Sequence, residues 1–277
     1  MKTLNLFVLL VAWAVIGSSC TSKSGYDWKL GAQSYTFHRF SFVETLDKLQ
    51  SLGLNYVEVY YGQRLGQGFG DQTMDYKMDK EVQKKVLELS KSKNVKIIAS
   101  GVVICNDEAE WTQLFEFAGS MGIEIITCEP NPEHMDIVEK LAEQHKIDVA
   151  IHNHPQPSHY WSPDLLMKAL EGRSKRMGVC ADVGHWKREG IDPVKALQQV
   201  GNRLKSLHFK DIKAPEEGEA EQHDVIWGTG ICNVADMLEV LKNNKFKGLM
   251  SIEYEYNWDN SVPDIRKCIQ YLDEQTK

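Results

Sequence analysis

The sequence predicts a closed barrel of eight parallel strands, each followed by a helix, and three observations support this prediction. Short apolar runs rich in β-branched residues alternate with amphipathic segments, an order typical of a parallel sheet. Eight such runs occur between residues 30 and 257. The chain has 277 residues, and the 258 that follow the first 19 fit the roughly 250 residues of a (β/α)8 barrel.

Each predicted strand is closed by polar or turn residues. The runs are LGAQSYTF (30–37), NYVEVYYG (55–62), VKIIASGVVI (95–104), GIEIITCEP (122–130), IDVAIHNHP (147–155), RMGVCADVGHW (176–186), LKSLHFKDI (204–212) and GLMSIEYEYN (248–257). Between them, segments such as VETLDKLQSLG repeat apolar residues at intervals of three and four, which predicts helices. Two long loops are expected, at 62–79 and 213–230.

The N-terminus has the layout of a secretory signal. Lys2 precedes an apolar run from Leu4 to Ile16, and small residues then lead to Cys20. The segment GSSC resembles a bacterial lipoprotein cleavage site, although Gly17 stands where leucine is usual. We therefore expect a lipoprotein-type signal peptide at 1–19, a tether at 20–28 and the barrel at 29–277. An uncleaved membrane anchor is the alternative.

This layout predicts an exported protein, in the periplasm or attached to the outer membrane, that touches the membrane only through a lipid on Cys20. The net charge of −7 disfavours nucleic acid as a partner, because phosphate binding needs a basic surface. The remaining cysteines are odd in number and lack a CxxC spacing, which argues against disulfides and against a cysteine zinc site. They are Cys105, Cys128, Cys180, Cys232 and Cys268.

Ionisable residues end six of the eight predicted strands. Because the active site of such a barrel lies at the carboxyl ends of its strands, this placement predicts a catalytic site there. The residues are Glu58, Glu129, His152, His154, Asp182, His185, His208, Lys210, Glu253 and Glu255.

Four of these residues, one from each of four successive strands, form a candidate metal site. They are His152, Asp182, His208 and Glu253. Two imidazoles and two carboxylates suit zinc, manganese, cobalt or iron better than calcium or magnesium, which prefer oxygen ligands. A buried network of ion pairs without a metal is the alternative.

The chain resembles the xylose-isomerase-like TIM barrels, which include sugar isomerases, ketose 3-epimerases, inosose dehydratases and apurinic endonucleases. The resemblance runs from Leu30 to Leu272 and rests on the motifs HNH, DVGH, LHFKD, WGTG and IEYE. It implies metal ligands at Asp182, His208 and Glu253. The first ligand of the family, a glutamate, falls on His152 here.

The resemblance also implies that His154 faces the substrate and that His185 binds it. The epimerases move a proton between two metal-binding glutamates, and His152 breaks that pair. The catalytic candidates are then Lys210, His154, Glu129 and Glu255, among which the sequence does not choose. Candidates for contact with the substrate are Glu58, His185, Trp186 and Tyr35, although aromatic residues of this kind also fill cores.

The sequence therefore predicts a metal-dependent carbohydrate enzyme that removes a proton next to a sugar carbonyl, as isomerases and epimerases do. Elimination from a keto-sugar, by a lyase, dehydratase or keto-glycoside-cleaving enzyme, is the first alternative. A non-catalytic sugar-binding lipoprotein is the second. The expected partner is a small sugar or keto-sugar, and the sequence leaves the oligomeric state open.

Overall fold

The computed structural model describes residues 25–215 and 222–277. Within these ranges, eight parallel strands close into a barrel in the order β1-β10-β7-β6-β5-β4-β3-β2, as the sequence predicts. A two-residue antiparallel pair, β8 with β9, lies in the loop after β7. The strands are β1 (Lys29–Gln33), β2 (Tyr56–Val59), β3 (Lys96–Val103), β4 (Ile125–Cys128), β5 (Asp148–His152), β6 (Met177–Asp182), β7 (Leu204–Phe209), β8 (Asp211–Ile212), β9 (Asp224–Val225) and β10 (Leu249–Ile252).

Helices surround the barrel, and local sequence signals set their ends. Ser41 and Glu44 form a reciprocal capping box at the start of α1, and Gly53 ends that helix in the left-handed region, with φ 74°. Asp192 caps α7 ahead of Pro193. The helices are α1 (Phe42–Leu52), α2 (Lys80–Ser92), α3 (Glu108–Met121), α4 (Met135–His145), α5 (Pro163–Ala169), α6 (Val183–Arg188), α7 (Pro193–Val200), α8 (Val234–Asn243) and α9 (Val262–Gln275).

The interior of the barrel changes from apolar to ionisable along the strand direction. Ile125, Ala150, Cys180 and Leu249 belong to a small apolar cluster that is separate from the main core between strands and helices. Side chains two residues apart on a strand share a face. His152, two residues after Ala150, therefore lies on the same face as this cluster, as does Asp182, two residues after Cys180, nearer the carboxyl ends.

The structure corrects the sequence prediction at the first strand. Only Lys29–Gln33 is extended, and Ser34–Phe37 forms a short 3-10 helix, so Tyr35 does not share a strand face with Gln33. The expected tether is partly packed on the barrel, because Trp28 is buried and stacks on Tyr26 with ring centroids 4.6 Å apart. The predicted signal peptide and Cys20 lie outside the described residues.

Two further observations concern the described residues. All five of their cysteines are buried and unpaired. None of their helices has the length and apolar character needed to cross a bilayer.

Candidate functional site

A cavity of about 420 Å³ opens at the carboxyl ends of the barrel strands. Its floor carries ionisable side chains, and its walls carry three tyrosines. The residues that line it are Gln33, Tyr35, Tyr60, Tyr61, Gly101, Val102, His152, His154, His185, His208, Glu253 and Glu255.

His208 is held from behind by a fully buried carboxylate. Its Nε2 donates to Glu58 Oε2 at 3.1 Å, and Ser251 Oγ donates to the same oxygen at 2.8 Å. Burial alone raises the pKa of Glu58, but the charge and hydrogen bond of His208 lower it below its usual value. The other ring nitrogen, His208 Nδ1, is left facing Glu253 Oε2 at 3.2 Å.

His152 has a similar partner. Its Nδ1 donates to Glu129 Oε1 at 2.9 Å, and the same oxygen accepts the backbone N–H of His154 at 3.1 Å and the His154 Nδ1–H. Ser158 Oγ donates to the second oxygen of Glu129 at 2.8 Å. Burial raises the pKa of Glu129, but the hydrogen bonds from the two histidines outweigh it and hold the pKa far below its usual value.

Three buried atoms at the centre of this cluster make no hydrogen bond of good geometry to any described residue, although His208 Nδ1 and Asp182 Oδ2 each have a charged group 3.2 Å away. They are His152 Nε2, Asp182 Oδ2 and His208 Nδ1. One ligand atom from each of these residues lies within 4.8 Å of the others. Buried polar atoms rarely stay unpaired, and a carboxylate behind a histidine is the usual support for a metal ligand. The three residues, with Glu253 beside them, therefore fit a divalent metal.

Lys210 balances part of the negative charge of the cluster. Its ammonium is fully buried and lies 2.7 Å from Glu253 Oε2, 2.7 Å from Glu255 Oε2 and 3.2 Å from Asp182 Oδ2.

Burial lowers the pKa of His152, yet its contacts with Asp182 and Glu129 raise that pKa to about 9. A site that stabilises positive charge on an imidazole so strongly is also electrostatically suited to a metal cation.

Asp182 and His185 show why the DVGH motif folds as it does. Asp182 ends β6 and caps α6, because its Oδ1 accepts the backbone N–H of His185 at 2.7 Å. His185 Nε2 then lies 3.5 Å from Asp182 Oδ2. Burial lowers the pKa of His185 to about 3, so its imidazole is neutral near pH 7.

The predicted residues divide into those that line the cavity and those that support it. Tyr35, His154, His185 and Glu255 line it, together with the proposed ligands His152, His208 and Glu253. Asp182 is fully buried beneath it.

Four residues that were expected to act on or contact the substrate lie away from the cavity lining. Glu58 is buried behind His208, Trp186 is fully buried in the core, and Lys210 lies beneath the cavity, where it pairs with Glu255. Glu129 is likewise turned toward the histidines rather than the cavity. Charge and position at a strand end identified these side chains, but neither reveals how deep a side chain lies.

Tyr60 and Tyr61 were missed, although they immediately follow β2, where the sequence drew attention only to Glu58. Tyr61 OH donates to Ser100 Oγ at 2.8 Å and so fixes one wall of the cavity. Their position directly after a strand end is the sequence signal that could have identified them.

Comparison with known proteins identifies the family. The family model described as "Xylose isomerase-like TIM barrel" matches residues 46–275. The chain belongs to this family. A crystal structure of an uncharacterised protein from Parabacteroides distasonis shares 39% identity and a TM-score of 0.74, covering 90% of this chain and 99% of that one.

Two other similar proteins have a named function or a bound ligand. The inosose dehydratase of Clostridium beijerinckii is 23% identical over 152 residues, which is 50% of this chain and 51% of the dehydratase. The chain thus matches about half the length of that protein. A crystal structure of the IOLI protein with a bound zinc atom is similar in fold, with 16% identity, a TM-score of 0.70 and coverage of 90% and 98% of the two chains.

Proposed function

We propose that this family member is a metal-dependent enzyme that removes a proton from the carbon next to the carbonyl of a keto-sugar. The observation that carries the proposal is the convergence of His152, Asp182 and His208, which offer ligand atoms within 4.8 Å of one another. Each also has a buried atom without a hydrogen-bond partner among the described residues, namely His152 Nε2, Asp182 Oδ2 and His208 Nδ1. The zinc atom of the IOLI protein and the dehydratase function of the Clostridium beijerinckii relative support it.

His152, Asp182, His208 and Glu253 are the residues that would hold the metal. Mixed nitrogen and oxygen ligands suit zinc, manganese, cobalt or iron. A metal bound there supplies Lewis acidity, which favours negative charge on the carbonyl oxygen of the substrate. Glu58 and Glu129 are positioning residues, because each holds the outer nitrogen of a histidine ligand.

The proton-transfer groups are assigned to the side chains that reach the cavity. His154 is half exposed, and its Nδ1 is occupied by Glu129, so its Nε2 is the nitrogen that can exchange a proton with substrate. Glu255 also lines the cavity and is fixed by Lys210 at 2.7 Å. We assign Glu255 as the base and His154 as its acid partner, with Lys210 as a positioning residue.

Elimination is the second candidate, and one observation favours it. His152 stands where the epimerases carry one of their two proton-transferring glutamates, while His154 adds an acid suited to a leaving oxygen. A glycosidic oxygen on C1 is β to a carbonyl at C3. Glu255 would take the C2 proton, the C1–C2 double bond would form as the C1–O bond breaks, and His154 would protonate the departing oxygen.

Proton NMR in D₂O tests the proposal with 3-keto-glucose and methyl 3-keto-β-glucoside as probes. The metal-loaded protein should introduce deuterium next to the carbonyl, and release of methanol would identify elimination. His154→Gln should slow turnover about 100-fold or more, since general acid–base catalysis contributes at least that factor. His159→Gln, an exposed histidine nearby, is the matched control. Absence of both exchange and elimination across a wider keto-sugar panel would contradict the proposal.

A further inference from the structure

A second cavity of about 690 Å³ adjoins the candidate active site. The two cavities share His185 and Glu255, which line both of them. The second one is further bordered by Arg188, His223, Tyr256 and Trp258. Because the same two residues line both cavities, the cavities are adjacent.

The walls of the second cavity combine aromatic faces with fixed polar groups. Tyr256 is 46% exposed and stacks on His223, with ring centroids 4.0 Å apart and planes inclined by 22°. Arg188 is held by Asp224 Oδ1 at 2.8 Å and by the carbonyl of Gln222 at 3.1 Å. A sugar ring presents C–H groups to aromatic faces and hydroxyls to polar groups, so it fits such walls.

Trp258 connects the aromatic surfaces of the two cavities. It lines the second cavity, and its ring meets Tyr35, a wall of the first cavity, edge-on at 6.1 Å. The large hydrophobic side chains that are exposed among the described residues include Tyr35 and Tyr256. Tyr35 lines the first cavity and Tyr256 the second, so each cavity has an exposed aromatic face.

We infer that the second cavity is a subsite for a second sugar ring, so that the substrate is a glycoside rather than a free monosaccharide. The inference rests on the proposed function, because it names the substrate class of the same site. The keto-sugar ring would occupy the first cavity, with its reacting carbons beside His154 and Glu255. The bond that joins the two rings would then pass between His185 and Glu255.

Calorimetric titration with glucose and cellobiose tests the subsite without any reaction. We expect wild-type protein to bind cellobiose about tenfold more tightly than glucose. Tyr256→Ala should remove most of that preference, whereas Tyr256→Phe should retain it, because it keeps the ring that stacks. Leu165→Ala removes an exposed apolar side chain that lines neither cavity and is the control. Glucose affinity should stay within about twofold in all three variants.

Equal affinity for the two sugars in the wild type, or a preference that survives Tyr256→Ala, would overturn the subsite. Tighter binding of phenyl β-glucoside than of cellobiose would overturn its assignment to a sugar ring. Deuterium exchange into 3-keto-glucose is measured on the same preparations. If exchange occurs while the preference for two rings is absent, the subsite fails and the proposed function stands. If the preference for two rings occurs without deuterium exchange, the subsite stands and the proposed function fails.

Discussion

Replacing Glu58 with glutamine tests whether a buried carboxylate sets the metal affinity of His208. Glu58 Oε2 accepts from His208 Nε2 at 3.1 Å and from Ser251 Oγ at 2.8 Å, and its side chain is fully buried. Glutamine keeps the shape and one acceptor but loses the charge. Such partners typically change metal affinity 10- to 100-fold, or about 1.4–2.7 kcal/mol. Loss of charge-assisted bonding should also lower the free energy of unfolding by about 1–3 kcal/mol.

Zinc affinity is measured by competition with a chromophoric chelator, and stability by urea denaturation of the metal-free protein. Glu124→Gln is the matched control, because Glu124 pairs with Lys29 and Lys96 at the opposite end of the barrel and is 42% exposed. We expect this control to change stability by less than about 1 kcal/mol and to leave zinc affinity unchanged. A Glu58→Gln variant that loses stability but binds zinc normally would refute the role of Glu58 as the support of a metal ligand.

Three other perturbations have defined outcomes. Lys210→Met should destabilise the metal-free protein by about 3–5 kcal/mol, because three carboxylates lose a buried ammonium. Added zinc should stabilise that variant more than the wild type in thermal melts, and equal stabilisation would argue against shared carboxylates. Burial raises the pKa of Asp224 from 3.8 to about 6, so the stability linked to its protonation is complete below pH 3.8 and lost as the pH rises through 6. The stability of the wild type relative to Asp224→Asn should therefore fall by about 3 kcal/mol between pH 3.5 and 7 in urea titrations, and a constant difference would refute this linkage. Palmitate labelling should mark the wild type and be absent in Cys20→Ala, whereas cleaved but unlabelled wild type would indicate an ordinary signal peptide.

The barrel and the location of its site were predictable because both depend on periodic features of the sequence. Alternation of strands and helices predicted the fold, and the clustering of ionisable residues at strand ends predicted the face that carries the candidate site. The proximity of Asp182 and His185 follows from their spacing, since three residues form about one helical turn and Asp182 caps that turn.

The depth of each side chain was not predictable in the same way. Glu58 reaches His208 across 150 residues of sequence, and this contact exists only once the barrel has closed. Its position at a predicted strand end made Lys210 a catalytic candidate, but β7 ends at Phe209 and the Lys210 ammonium lies among buried carboxylates. Trp186 also follows a strand end in sequence, but it lies on α6 and is fully buried in the core.

The second cavity depends on the loops, where the sequence carries no periodicity. Tyr256 and Trp258 follow β10 in an irregular segment, and His223 approaches Tyr256 only through the loop after β7. Their aromatic character was visible, but their convergence beside His185 was not.

The metal content of the purified protein, measured by inductively coupled plasma mass spectrometry, tests the central claim most directly. The wild type should contain close to one equivalent of a divalent transition metal after zinc loading and removal of excess. Asp182→Ala and His208→Ala should each lose it, because both remove an atom from the buried cluster. Wild-type metal content in the double variant would contradict the proposed centre.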